Sequence, residues 1–314
     1  MDVDPAAFVR GLMVPADETR VFWRGVTLLE EHEIAPTYEL YLAGCPLRCP
    51  FCAVPGASRS RAAGERMAPE ALVEDLLAEH HPPFRALALV GGEPSLHLPW
   101  IRRLLPLLRR ELPDTVLVLN TALCWEPSLA RELAASFDWV VGTVRYYGDA
   151  CGTRLGAHSG HPAQARWAVE ALLEAGGRLL LRLLVLPGHH DCCAAPLARW
   201  IAGLEGDLRA RVMLNYAPVG EARSLPGLDR GLDDHEARRA AELLPSGVPR
   251  PLALPLQPVP LRLDHHRDPP VSLEIDAGGQ VVAPMVTGTI LPWLAERQPA
   301  LRERRVYLGV SHAL

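Results

Sequence analysis

The chain contains no lysine. Lys and Arg together number 32 in 314 residues, and every one of them is Arg. Without an amine nucleophile, Schiff-base catalysis is excluded, and so is a phosphate-binding P-loop with its lysine. Asparagine is nearly absent too, occurring only as Asn120 and Asn215. No apolar run approaches the ~20 residues that span a bilayer. The longest, Leu179 to Pro187, is interrupted by Arg182, so no membrane partner is expected. The formal net charge of −5 leaves no general basic field to attract nucleic acid. The first residues, MDVDPAAFVRGLM, are acidic before a short apolar stretch and do not read as a signal peptide. A cytoplasmic location is expected.

What is present is a globular composition, 49% hydrophobic and 22% charged, in a chain long enough for one large domain or two small ones. Seven cysteines make an odd, unevenly spread set. Three fall in the octapeptide CPLRCPFC, and Cys192 and Cys193 are adjacent. A disulfide framework favours an even, distributed set, so metal-ligating thiolates in a reducing compartment are the better reading.

From residue 37 onward short apolar strands alternate with amphipathic helices. The pattern predicts strands at Tyr38–Leu42, Leu87–Val90, Val116–Leu119, Trp139–Val144, Leu179–Leu186 and Arg211–Tyr216. It predicts helices at Pro69–His80, Pro99–Glu111, Pro127–Ala135, Pro162–Ala175, Pro196–Leu204 and Asp233–Leu244. Several open on Pro, which is tolerated in the first turn. Successive βα units argue for an α/β fold with a parallel sheet, either doubly wound or a barrel. In both, ligands bind beyond the carboxyl ends of the strands. The organisation expected is an N-terminal segment 1–36, a core 37–245 and a C-terminal extension 246–314. The extension begins Pro-rich and then reads as a β-hairpin turning at Ala277–Gly279.

The unusual residues sit at the strand ends. Cys45, Cys49 and Cys52 follow the first strand, and Gly91-Gly92-Glu93-Pro94 follows the second. Asn120 and Thr121 follow the third, Arg145 and Tyr146 the fourth, Leu186-Pro187-Gly188 the fifth, and Asn215 and Tyr216 end the sixth. Three thiols in one tight loop admit a Cys₃His zinc site completed by His32 or a more distant His, a C-x-x-C redox pair, or an iron–sulfur cluster with one iron left open. Gly-Gly lets a ligand approach bare backbone.

The cysteine spacing together with GGEP one βα unit later resembles the radical S-adenosylmethionine (SAM) superfamily. The resemblance implies a partial (β/α)6 TIM-like barrel with a Pro-rich C-terminal extension. It also implies a [4Fe–4S] cluster on Cys45, Cys49 and Cys52, with SAM bound at the open iron. Such an enzyme reductively cleaves SAM to a 5′-deoxyadenosyl radical that abstracts hydrogen from its substrate. It takes its electron from a donor such as flavodoxin or ferredoxin.

LRLLVLPGHHD (Leu181–Asp191) and Met213-x-Asn215-Tyr216-x-Pro218 are similar to segments of pyruvate formate-lyase activating enzymes and their uncharacterised relatives. Carried over on those matches, Phe51 lies by the adenine and Gly91, Gly92, Glu93 and Pro94 contact the amino group. Asn120 and Thr121 face the methionine or ribose, Arg182 meets the carboxylate, and Leu186, Pro187 and Gly188 flank the adenine. Arg145, Tyr146, Asn215 and Tyr216 face the substrate, which is a small molecule, a peptide or a partner protein. An inward barrel position is the other reading of Arg182.

The resemblance has departures. Where the activating enzymes carry Asp-x-Lys after the fourth strand, this chain has Thr143, Val144 and Arg145, and Leu119 stands where they have another Asp. A monovalent-cation requirement is therefore not expected. Activation of a glycyl-radical partner is kept as an alternative, and a non-catalytic zinc or iron–sulfur module as another. Cys124, Cys151, Cys192 and Cys193 are too far apart or too close in sequence to predict an auxiliary metal site.

Overall fold

The computed structural model describes residues 5–27, 33–34, 36–78, 84–214, 216–243, 272–274 and 305–307. In chain order the elements are α1 (Pro5–Arg10), β1 (Arg20–Thr27), β2 (Thr37–Leu42), α2 (Pro55–Arg59), β3 (Glu65–Arg66) and α3 (Pro69–Leu77). Then come β4 (Ala86–Gly91), α4 (Leu98–Glu111), β5 (Val116–Thr121), α5 (Ala130–Ser136), β6 (Trp139–Val144), α6 (Asp149–Arg154) and α7 (His161–Glu174). The order continues with β7 (Leu179–Leu184), α8 (Ala195–Ala202), β8 (Leu208–Met213), α9 (Asp234–Ala241), β9 (Ser272–Glu274) and β10 (Arg305–Tyr307).

One sheet runs β3-β1-β2-β4-β5-β6-β7-β8. From β2 to β8 every neighbouring pair is parallel. The fold is the expected α/β partial barrel, left open, because β3 and β8 form its edges and do not meet. Alternation along the strands makes two faces. Leu40, Leu89, Leu119 and Leu181 pack outward with helix residues such as Leu72, Ile101, Leu104 and Leu172. Each such fully buried side chain is worth roughly 1.5–3 kcal/mol of transfer free energy. Tyr41, Val90, Val118, Val141 and Leu180 make the inner face. By the same alternation Glu39, Asn120, Thr143 and Arg182 also lie inward, so the inward reading of Arg182 describes its position.

Three elements differ from expectation. The N-terminal segment 1–36 contributes a strand to the sheet, β1, antiparallel to β2. Arg20, Arg24 and Gly25 break the apolar pattern that would have revealed it. The last parallel strand begins at Leu208 rather than Arg211. Its early arginines hid it: Arg209 lies over the Trp139 ring at 5.1 Å, and Arg211 pairs with the carboxylate of Glu33. In the C-terminal extension Ser272–Glu274 pairs antiparallel with Arg305–Tyr307. The predicted turn at Ala277–Gly279 and the strand after it lie outside the described residues. No helix among the described residues is long and apolar enough to cross a membrane.

Candidate cluster and cofactor site

A second apolar cluster sits at the carboxyl ends of the strands. It joins Leu47, Cys49, Phe51 and Cys52 of the cysteine loop to Ala122 and Cys124 after β5, Tyr146 after β6, Leu186 after β7 and Tyr216 after β8. Seven of the residues singled out in the sequence, Cys45, Cys49, Phe51, Cys52, Tyr146, Leu186 and Tyr216, therefore converge on one mouth. Asn215 lies outside the described residues, as does His32.

Each of the three loop thiols has a polar neighbour. The Leu47 N–H donates to Sγ of Cys45 at 3.4 Å. The Tyr146 hydroxyl donates to Sγ of Cys49 at 3.7 Å, and Ser58 Oγ lies 3.3 Å from Sγ of Cys52. Burial, and then the charge of Glu93, pushes the Cys45 thiol well above its ordinary pKa. Burial also raises Cys52 against its hydrogen bond with Ser58. Thiols in this state become thiolates when a metal claims the proton's place. Among the described residues, two groups bring three or more metal-type ligand atoms within 4.8 Å of one another, and this triplet is in neither. A single tetrahedral zinc draws its sulfurs to about 3.8 Å. A cubane spreads them over separate irons. The donor set, each sulfur with its own polar neighbour, fits a cluster whose thiolates sit on separate irons.

Glu93 organises the mouth. Its carboxylate accepts from the Thr121 hydroxyl at 2.7 Å, the Ser95 N–H at 3.1 Å and the Ala122 N–H at 2.8 Å. Its own N–H donates to the Gly44 carbonyl at 2.8 Å. Burial outweighs these bonds and raises its pKa. Gly91 and Gly92 are both held in tight backbone packing. Gly91 has φ +110°, and a Cβ at Gly92 would lie 2.0 Å from the Gly44 carbonyl oxygen. The bare Gly92 Cα thus packs against the cysteine loop itself.

Pro94 is buried at the start of the turn after Glu93. Phe51 meets Tyr216 edge-on at 5.8 Å between centroids, and the Tyr216 hydroxyl donates to the Leu228 carbonyl at 2.8 Å. The Leu155 carbonyl lies 3.1 Å from the same Tyr146 hydroxyl, whose single proton it shares with Cys49. Leu186 and Pro187 are buried, while the Gly188 N–H donates to Glu236 at 2.8 Å. Arg145 is 6% exposed, yet its buried Nε has no hydrogen-bond partner among the described residues. An orphaned guanidinium edge in a buried mouth fits an anionic ligand. Beside Cys45 a cavity of about 280 Å³ is lined by Gly44, Arg48, Arg59 and Arg61.

Sequence spacing did not reveal Ser58, or His97, whose Nε2 lies 2.9 Å from the Ala43 carbonyl and whose Nδ1 lies 3.1 Å from Thr19 Oγ1. It also discounted thiols that the fold assembles: Cys151, Cys192 and Cys193 meet with His189, and Cys124 meets His158 and His161.

The chain is 23% identical over 221 residues to an uncharacterized protein of Methanocaldococcus jannaschii, spanning 68% of this chain and 63% of that one. It is 36% identical over 98 residues to the 7-carboxy-7-deazaguanine synthase of Methanothermobacter thermautotrophicus, spanning 31% of this chain and 36% of that one. The chain thus spans less than two thirds of the length of either relative. Among solved structures, Streptococcus suis SuiB bound to precursor peptide SuiA aligns at 14% identity and a TM-score of 0.47, over 63% of this chain and 42% of that one. Residues 41–201, about half of the chain, match the Radical SAM superfamily. The chain belongs to the radical SAM superfamily, whose members use a [4Fe–4S] cluster and S-adenosylmethionine.

Proposed function

We propose that this chain is a radical SAM enzyme that abstracts hydrogen from a substrate at the mouth of the partial barrel. Cys45, Cys49 and Cys52 hold the cluster in this reading. When bound, the cluster and SAM supply one-electron cleavage of the sulfonium–carbon bond. The protein's own residues bind, orient and exclude water. Leu47 N–H, the Tyr146 hydroxyl and Ser58 steady the thiolates. Gly91 to Pro94, Asn120, Thr121 and Arg182 line the SAM side, and Phe51 with Leu186, Pro187 and Gly188 encloses the adenine. Tyr216 and Tyr146 border the substrate, and Arg145 offers it a carboxylate-binding edge. An electron donor such as flavodoxin or ferredoxin supplies the electron in this reading.

The observation that carries this reading is the loop of three buried or half-buried thiols, each with its own polar neighbour, at the ligand end of a parallel sheet. Thr143 and Leu119 stand where the activating enzymes have Asp, and no described feature favours a glycyl-radical partner over other substrates. The broader reaction is therefore the proposal.

Anaerobic reconstitution tests it. With dithionite and SAM, the wild-type protein should form 5′-deoxyadenosine, and Cys45→Ala should lower that rate by at least ~100-fold, about 2.7 kcal/mol or more of lost barrier reduction. Failure to assemble a brown chromophore, or a Cys45→Ala protein that keeps both chromophore and cleavage, would sink the proposal.

A further inference from the structure

The fold brings together a second set of ligands that the cluster does not use. Cys151 lies on α6, after β6. His189, Cys192 and Cys193 lie in the connection between β7 and α8. One Nδ1 or Nε2 and three Sγ atoms from these residues all fall within 4.8 Å of one another. Sγ of Cys151 is 3.6 Å from Sγ of Cys192, and Sγ of Cys192 is 3.3 Å from Nδ1 of His189. All three cysteines are free thiols. We propose that Cys151, His189, Cys192 and Cys193 bind one zinc ion in tetrahedral coordination.

Two of the six edges of the set match a single ion, and the other four are within 4.8 Å. Zinc–sulfur bonds of about 2.3 Å and a zinc–nitrogen bond of about 2.0 Å give tetrahedral edges near 3.8 Å between sulfurs and 3.5 Å from sulfur to nitrogen. The observed 3.6 Å and 3.3 Å need little adjustment. A polynuclear iron–sulfur cluster distributes its ligands over separate irons and does not fit so tight a set.

The backbone explains how two adjacent cysteines reach one point. His190–Ala194 forms a widened π-helical turn, in which the N–H groups of Cys193 and Ala194 both donate to the His189 carbonyl at 3.1 Å. Such turns recur at functional sites. His189 is 8% exposed and Cys193 is 1% exposed, while Cys192 is exposed, which leaves an entry path. On binding, the three thiols release their protons to solvent and keep their S–C bonds, with no redox change. The ion then ties the β6 connection, which carries Arg145 and Tyr146, to the β7 connection, which carries Leu186 to Gly188. The rival state is a Cys151–Cys192 disulfide, since those two sulfurs lie 3.6 Å apart.

The experiment uses the full chain, loaded anaerobically with its iron and analysed for both metals. About one zinc per chain is expected in addition to iron. The Cys151→Ser/Cys192→Ser double variant should lose the zinc and keep the iron chromophore, and Cys45→Ala should do the reverse. Should the double variant not fold, Cys192→Ser alone changes an exposed residue. It should weaken zinc at least ~10-fold in chelator competition. Cobalt loaded in place of zinc should give the absorption of a tetrahedral thiolate site in the wild type only. Absence of zinc from the wild type, unchanged zinc in the variants, or a Cys151–Cys192 disulfide found by mass spectrometry overturns the proposal. The proposal does not rest on the hydrogen-abstraction reading, because zinc and iron are measured separately.

Discussion

Two sets of thiols lie at the same end of the sheet and differ in almost every physical respect. Cys45, Cys49 and Cys52 come from one loop after β2, and each sulfur has a polar neighbour of its own. Their sulfurs stay apart. Cys151, Cys192 and Cys193 come from two loops after β6 and β7, and with His189 they crowd into a single small polyhedron. Spacing on the chain made the first set conspicuous, whereas separation on the chain concealed the second. Ligand spacing in space, not sequence proximity, distinguishes a cubane cradle from a single-ion cage. Tyr146 stands between the two, with its hydroxyl on Cys49 and Cys193 close enough for their charges to interact.

The largest effect that would separate the two regions is expected from Gly92→Val. Its Cβ would meet the Gly44 carbonyl oxygen at 2.0 Å, backbone against backbone, so the cysteine loop must move. A loss of about 3 kcal/mol, or a Tm lower by roughly 6–12 °C, is expected together with poor iron loading. Zinc at the second set should persist in the folded fraction. A fully loaded variant with an unchanged Tm would contradict the packing argument.

A smaller effect is pH-dependent and has its first-region source in His97. His97 is buried between β1 and the start of the cysteine loop. Its Nε2–H is assigned as the donor to the Ala43 carbonyl, which leaves Nδ1 to accept from Thr19. Burial, and then the positive charge of Arg61, hold its pKa down at about 4. In the unfolded chain it titrates near about 6.5. Between those values the unfolded state binds the extra proton, so stability is present above about pH 6.5 and falls as the pH drops toward 4. The loss is on the order of 2–3 kcal/mol. Melting of the iron-free protein across that window should show a steeper acid slope for the wild type than for His97→Gln. Equal slopes would remove His97 as the cause.

The smallest effect concerns β6, the strand that leads to both regions. With Thr143 in place of an acidic residue, exchanging K⁺, Na⁺ or a bulky organic cation should change SAM cleavage by no more than roughly twofold. Strong dependence would mean that another carboxylate, such as Glu93, has taken that role.

Much of the fold was legible because a parallel sheet buried on both faces writes long apolar strands, and its helices announce themselves with Pro at the first turn. β1 and the true start of β8 were not legible. Their arginines are accommodated by partners distant in sequence, such as Trp139 for Arg209 and Glu33 for Arg211. In the candidate site, the motif residues stood out, but their tasks did not. The sequence marked Gly92 as a backbone approach, and only the fold showed that its Cα also packs against Gly44. Tyr146 looked like a substrate residue, and its hydroxyl is engaged by Cys49 and Leu155.

The lack of lysine, the alternating strands and helices, and the C-x₃-C-x₂-C spacing were determined by the sequence alone. They excluded amine chemistry and pointed to the superfamily, because local spacing along one loop is enough to specify a three-thiolate cradle. Only the tertiary structure decided that Glu93 would bind the ends of β4 and β5 together, that β1 would join the sheet, and that Cys151 would meet Cys192 across 41 residues of chain. Each of these depends on which strand ends become neighbours, and strand order is settled by packing the whole sheet at once.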